Sequence, residues 1–348
     1  MLSIISFIFV KAIYDKDKMI ITRTPFRVSF VGGGSDIEDF YKYSQGAVLS
    51  TTINKYMYIY SHNFFDVNKI RVKYSKTETV TGVNKIKHPI VREVLKKFKI
   101  KGALEISSNA DVPANTGLGS SSSFTVGLLH NLYTKFGKYV TKDQLAEEAC
   151  DIEINKLKEP IGKQDQYAAA FGGLSVFIFE PSGSVKVDPL HLTKETYKNL
   201  QKNLLMFYTG MQRKTSSILT EQKKNIKAKD KFETLKKMVN YVWQLRDALY
   251  EGNLEEFGKL LHKNWILKKT LTSKISNSRI DNLYKKALKN GAIGGKLLGA
   301  GGGGFLLLYC DEKNHDKLRK AMHSLRELKF KFDNEGSKLL YIGDEYNY

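Results

Sequence analysis

The chain has 348 residues, 42% hydrophobic and 26% charged, enough to bury a sizeable core without disulfides or a structural metal. Its 19 Tyr and 19 Phe exclude a mainly disordered chain, and 27 Gly with only 6 Pro exclude a collagen-like one. The formal charge of +20 rests on 56 Lys+Arg against 36 Asp+Glu, of which 47 are Lys and 9 Arg, so most of the excess reads as solvated surface rather than an arginine-built nucleic-acid face.

Cys150 and Cys310 lie far apart with no CxxC spacing, which fits a reducing cytoplasm, and the seven His show no metal-ligand spacing. The apolar opening MLSIISFIFV is too short to span a bilayer, and it lacks the flanks of a signal peptide. Residues 1–18 are therefore expected to form an extension outside the fold, with no membrane partner.

Residues 20–31 predict a first strand, and 47–53, 56–62, 69–74 and 103–109 predict four more, all rich in Val, Ile, Tyr and Thr. A Gly/Ser stretch then runs directly into Phe124, Leu128, Leu129, Leu132 and Phe136 at helical spacing. Thr141 with Gln144 forms a capping box for the helix carrying Cys150 and Ile152. DQYAAAF reads as a helix stopped by Gly172-Gly173, and LSVFIFE as the strand after it.

Further on come strand LLMFY, an amphipathic helix bearing Phe232, Leu235, Val239, Val242, Leu245 and Leu249, and a shorter helix before Gly291. Two strand-like pieces, GGKLLG and FLLLYC, flank a glycine turn, followed by a helix over 312–327 and a last strand near 338–342. Strands and helices mix without regular βαβ spacing, so the expectation is α+β in two domains.

Three glycine-rich segments carry the chemistry: VGGGSD (31–36), PANTGLGSSSS (113–123) and LGAGGGGF (298–305). The third satisfies G-x-G-x-x-G at 299–304 but leads into a strand, so it fails the context of a dinucleotide site. The second follows a strand and opens a helix. Gly117 and Gly119 permit close backbone approach, and serine hydroxyls and unpaired amides gather at the positive end of the helix. That pattern is an anion site.

The motifs PFRVSFVGGGSD, PANTGLGSSSS and KLLGAGGGGF resemble the three ordered motifs of the GHMP kinases, in the order and at the spacing of that family. The resemblance implies an N-terminal domain like the second domain of ribosomal protein S5 (19–190), a ferredoxin-like C-terminal domain (191–348), and ATP with Mg²⁺ bound between them. It implies that Pro113, Gly117, Leu118, Gly119, Ser120, Ser121, Ser122 and Ser123 wrap the ATP phosphates. Ser121 and Glu153 would hold Mg²⁺. Asp165 would take the proton of the acceptor hydroxyl, with Arg27 beside it.

Asp36 matches the family's sugar-holding aspartate, but Gly33 and Gly34 stand where galactokinases carry Glu and His, which puts galactose in doubt. GGGSD is similar to the branch that includes heptose 7-phosphate kinases and fucokinases. Substrate contacts are therefore expected from Gly33, Gly34, Ser35, Asp36, Lys163, Gly301 and Gly302, the two glycines leaving space for a seven-carbon sugar. The implied activity is ATP-dependent phosphorylation of a sugar phosphate at its anomeric hydroxyl, with an unphosphorylated sugar such as L-fucose as the alternative. A catalytically silent sugar and ATP sensor is the non-enzymatic alternative; no Arg-aromatic stripe supports a nucleic-acid partner, and oligomeric state is left open.

Overall fold

The computed structural model describes residues 18–211 and 215–344. Residues 1–17 of the expected extension lie outside the described residues, and Lys18 already begins the first strand. β1 (Lys18–Val31) and β2 (Gly46–Asn63) pair antiparallel at the centre of a nine-stranded sheet. Along β1, Ile20, Thr22 and Thr24 are buried in alternation, as in a strand with one wet face; from Thr24 to Val31 every residue is buried. The change marks where helices of the second half of the chain cover the other face of the sheet.

β2 repeats this in mirror order, buried throughout over Gly46–Ile53 and alternating beyond. The two strands predicted over 47–53 and 56–62 are thus one. Between them Asn54 and Lys55 bulge opposite Pro25, the residue that has no amide to give to the ladder.

β3 (Ile70–Lys73), β4 (Thr77–Val80) and β5 (Leu104–Ala110) extend the sheet beyond β2, and β6 (Leu174–Phe179) with β7 (Val185–Pro189) extend it along the first half of β2. β4 was not predicted, because its sequence TETV carries no apolar alternation. Helix α1 (Ser120–Lys135) lies on β1 and β2 and touches α2 (Lys142–Cys150) and α3 (Gln164–Phe171). Thr141 caps α2 by accepting from Gln144 N at 3.1 Å. The capping box is half formed, since the Gln144 side chain reaches Tyr133 and Glu148 instead. After Cys150 the helix widens into a π-helical stretch, Asp151–Lys156, closed by Leu157 N to Ile152 O at 3.0 Å.

The second half builds a four-stranded antiparallel sheet from β8 (Leu204–Tyr208), β9 (Ala292–Leu297), β10 (Phe305–Cys310) and β11 (Arg326–Glu327). Their spatial order is β11-β8-β10-β9, the fourth, first, third and second strands in chain order, which is the ferredoxin-like arrangement. Helices α4 (Lys229–Tyr250) and α5 (Leu254–Thr270) connect β8 to β9 and pack against β1 of the first sheet.

Two expectations about the C-terminal part need correction. The helix expected over 312–327 is α-helical only over His315–Ala321, and a turn closed by Leu325 N to Met322 O swings Arg326–Glu327 onto the edge of β8. The division at 190/191 also fails at the C-terminal end. β12 (Phe332–Asp333) pairs with β2 and β13 (Lys338–Asp344) pairs with β1, so the chain crosses back into the first sheet.

Candidate functional site

Where the two sheets' helices and loops meet, a cavity of about 330 Å³ opens, lined by residues of all three glycine-rich segments. The second and third segments lie backbone against backbone across the junction. A Cβ on Gly117 (φ +86°) would stand 2.4 Å from Leu298 O, and one on Gly299 would stand 2.5 Å from Gly117 Cα. A Cβ on Gly304 would meet Thr116 O at 2.3 Å. Any side chain at these positions would hold the loops apart. Gly119 (φ +76°) turns the chain into α1, so that Ser120, Ser121 and Ser122 reach the cavity with the helix N-terminus behind them.

Arg27, on the fully buried part of β1, faces Asp165 in the first turn of α3. Its Nε donates to Asp165 Oδ1 and its Nη2 to Oδ2, both at 2.7 Å, a bidentate pair. Its Nη1 donates to Gly117 O at 2.6 Å. The guanidinium therefore ties the carboxylate to the glycine loop as well as neutralising it. The Asp165 side chain is 23% exposed, on the cavity side of the pair.

Beside this pair, Ser121 Oγ donates to Glu153 Oε1 at 2.6 Å, and Gln166 Nε2 donates to Glu153 Oε2 at 2.8 Å. The π-helical stretch turns Glu153 inward, and the residue is 1% exposed. Burial pushes its carboxyl up to about 7, against the hydrogen bonds from Ser121, Gln166 and Ser122 that favour the anion. Among the described residues no three His, Cys, Asp or Glu side chains gather as a metal cage. The donor set nevertheless fits Mg²⁺: one carboxylate and one hydroxyl, both hard oxygens, at a helix N-terminus suited to phosphate.

Asp36 also lines the cavity. Its Oδ1 accepts from Gly34 N at 2.9 Å and its Oδ2 from Gln164 N at 3.3 Å, so the carboxylate is held at the start of α3. Burial, and then the charge of Asp165, raise its carboxyl above the ordinary range. A Cβ on Gly162 would fall 2.0 Å from Asp36 Oδ2, so only glycine leaves room for this carboxylate.

The structure separates the remaining expected site residues. Gly33 faces the cavity with its nearest neighbour, Gln164 Nε2, 3.8 Å from where a Cβ would stand. Gly34 lines the cavity too, but Gln222 Nε2 lies 2.4 Å from its Cβ position, so the space expected there for substrate is filled from the second half of the chain. Ser35 is turned away. Its hydroxyl donates to Gly32 O and Ala47 O and accepts from Ala47 N, bracing the turn.

Leu118 is buried and Ser123 donates to Pro25 O, so both face the scaffold rather than the cavity. Pro113 accepts from Thr116 Oγ1 and lies outside the lining. Lys163 donates to Gly183 O and stands over the Tyr41 ring, off the cavity. Gly301 and Gly302 pack on Ile275, and Gly299 and Ala300 line the cavity in their place.

The largest omission of the sequence reading is Lys268, near the end of α5. It is 4% exposed, lines the cavity, and its Nζ donates to Gly299 O at 2.5 Å. Burial, and then the charge of Arg27, lower its ammonium from 10.5 to about 8. The signal was present in the sequence: Leu261, Asn264 and Lys268 share the buried stripe of an amphipathic helix, where a lysine is out of place. Lys296 of β9 is likewise fully buried, donating to Phe30 O at 2.9 Å and Ser29 Oγ at 3.3 Å, and burial drives its ammonium well below the ordinary value.

The chain matches the family model for the GHMP kinases N terminal domain over residues 84–173 and that for the GHMP kinases C terminal over residues 245–327. It is 28% identical over 335 residues to a D-glycero-alpha-D-manno-heptose 7-phosphate kinase of Campylobacter jejuni, covering 92% of this chain and 98% of that protein. It is also 28% identical over 349 residues to a galactokinase of Pyrococcus furiosus, covering 90% and 94%. The solved structure of a D-glycero-D-manno-heptose 1-phosphate kinase from Bacteroides thetaiotaomicron matches with a TM-score of 0.77 at 21% identity, over 92% of this chain and 99% of that one, a likeness of fold.

Proposed function

Because the chain belongs to the GHMP kinase family, we propose that it is an ATP- and Mg²⁺-dependent sugar 1-kinase acting on D-glycero-D-manno-heptose 7-phosphate, with the 1,7-bisphosphate and ADP as products. The observation that carries the phosphotransfer chemistry is the bidentate Arg27–Asp165 pair set against the Gly117–Ser123 loop, with Ser121 and Glu153 alongside. The heptose 7-phosphate kinase relative, alike over nearly the whole length of both chains, supports the substrate.

In this reading the phosphates of ATP lie on the amides of the loop and the N-terminus of α1. Ser121 and Glu153 would hold Mg²⁺, which would supply neutralisation of the phosphate charge. Asp165 accepts two hydrogen bonds from Arg27 and keeps further lone pairs facing the cavity. As the anomeric oxygen bonds to the γ-phosphorus, its proton passes to an Asp165 oxygen and the bond from phosphorus to the bridging oxygen breaks, releasing ADP. Arg27 orients Asp165 for that transfer. Asp36 and Gln164, which line the cavity at the start of α3, would take sugar hydroxyls. The product would feed nucleotide-activated heptose synthesis for a surface glycan.

A second reading, the 1-phosphorylation of an unphosphorylated hexose, is favoured by the galactokinase relative. The two are separated by measuring ATP consumption across free and phosphorylated sugars and assigning the product's phosphate position by phosphorus and carbon NMR. The expected result is a new phosphate on the anomeric carbon of heptose 7-phosphate. A much higher kcat/KM on an unphosphorylated sugar overturns the heptose assignment and leaves the kinase reading in place.

A further inference from the structure

Two cations line the cavity, and they differ in what they hold. Arg27, from the first half of the chain, commits three of its N–H groups, two to Asp165 and one to Gly117 O. Lys268, from the second half, is as deeply buried, yet its ammonium, with three donors, has Gly299 O as its hydrogen-bond acceptor. The charged groups that face it are Arg27 on β1, Asp36 in the loop after β1, Asp165 on α3 and Lys296 on β9. Asp165 is already paired with Arg27, and Asp36 is held by two backbone amides. A desolvated ammonium with donors still open is costly unless an anion meets it. Gly299, whose carbonyl holds it, packs against Gly117, the glycine whose own carbonyl Arg27 holds. Both cations therefore line the cavity while held by adjoining glycines of two loops that pack backbone against backbone.

We infer that Lys268 contacts the γ-phosphoryl group of ATP as it moves to the acceptor, so that each half of the chain contributes one cation to the reacting phosphorus. Arg27 acts on that group chiefly through Asp165, whereas Lys268 donates directly to a non-bridging oxygen. The depressed ammonium also fits this role, since an anion arriving in a dry site restores the charge where it is needed.

This inference rests on the kinase reading for its reaction, but its test does not need the sugar. Lys268→Met keeps the aliphatic stem and removes the charge. Affinities of wild type and variant are measured by calorimetry for Mg²⁺-ADP and for Mg²⁺ with the β,γ-imido analogue of ATP, alongside turnover. The variant is expected to bind ADP within about twofold of wild type, to lose about tenfold in affinity for the analogue, and to lose on the order of 100-fold in turnover. Equal losses for ADP and analogue would reduce Lys268 to a brace for the Gly299 carbonyl and overturn the inference. So would no loss at all. Should Lys268→Met fail to fold, Lys268→Gln retains a donor to Gly299 O and gives the same reading. If no sugar proves to be a substrate, the analogue-to-ADP ratio still decides the role of Lys268.

Discussion

The two walls of the cavity are built on opposite electrostatic plans. On the wall from the first half of the chain, every buried charge has a matched partner: Arg27 with Asp165, Glu153 with Ser121 and Gln166, Asp36 with two amides. On the wall from the second half, Lys268 is buried with the Gly299 carbonyl as its hydrogen-bond acceptor, and Lys296, off the cavity, donates to Phe30 O and Ser29 Oγ. The side chains of the first wall are held in place by these bonds. The second presents the Lys268 amine to the cavity, where an anionic ligand would complete its hydrogen bonding. Orientation and attraction are thus divided between the halves.

The largest effect expected on the first wall comes from Asp165→Asn. It removes the proposed proton acceptor while keeping shape, so turnover should fall by about 10³-fold with ATP affinity changed only a few-fold, as measured by steady-state kinetics and nucleotide titration. Unchanged turnover would move the proton acceptor elsewhere. Next, Glu153→Gln should raise the Mg²⁺ concentration needed for half-maximal activity by on the order of tenfold, since a neutral amide oxygen replaces a carboxylate. An unchanged Mg²⁺ requirement would place the metal on other groups.

The seam between the walls is tested by Gly117→Ala. The new Cβ must push against Leu298 O from a left-handed backbone, so a loss of about 2 kcal/mol in stability is expected from urea unfolding. A neutral substitution would show that the loops part freely.

The pH dependence of stability sharpens the contrast further. The Glu153 carboxyl is raised from 4.5 to about 7, so the folded protein keeps a proton that the unfolded chain loses over that range. Stability should therefore decline as pH rises from about 4.5 to about 7, by on the order of 3 kcal/mol from this group. Urea midpoints measured without Mg²⁺ should show this decline in the wild type and a flatter profile in Glu153→Gln; parallel profiles would exclude a raised carboxyl. The smallest effect belongs to Lys163→Ala. Its ammonium rests on Gly183 O off the cavity, so kcat/KM for the sugar phosphate should change by less than about threefold, and a larger loss would bring Lys163 back to the substrate.

Much of the fold was legible because local signals agreed with the tertiary result. The β-branched runs of β1 and β6, the apolar stripe of α4 and the glycine turn between β9 and β10 are each encoded within a few residues. The continuous β2 was not, since a bulge opposite Pro25 reads in sequence as a break. The return of β12 and β13 to the first sheet was hidden for another reason: strand pairing between residues some 300 positions apart leaves no local trace.

The sequence by itself determined the spacing of the three glycine segments and, with it, the resemblance that singled out Arg27, Asp165, Ser121 and Glu153, because backbone approach and charge type are properties of single residues. Only the tertiary structure decided which of the neighbouring residues face the cavity. Ser35, Ser123 and Lys163 carry the right chemistry but satisfy their hydrogen bonds in the scaffold, while Gln222 and Lys268 reach the site from helices far along the chain. Side-chain direction and desolvation arise from packing between distant segments, and no short stretch of sequence contains both partners of such a contact.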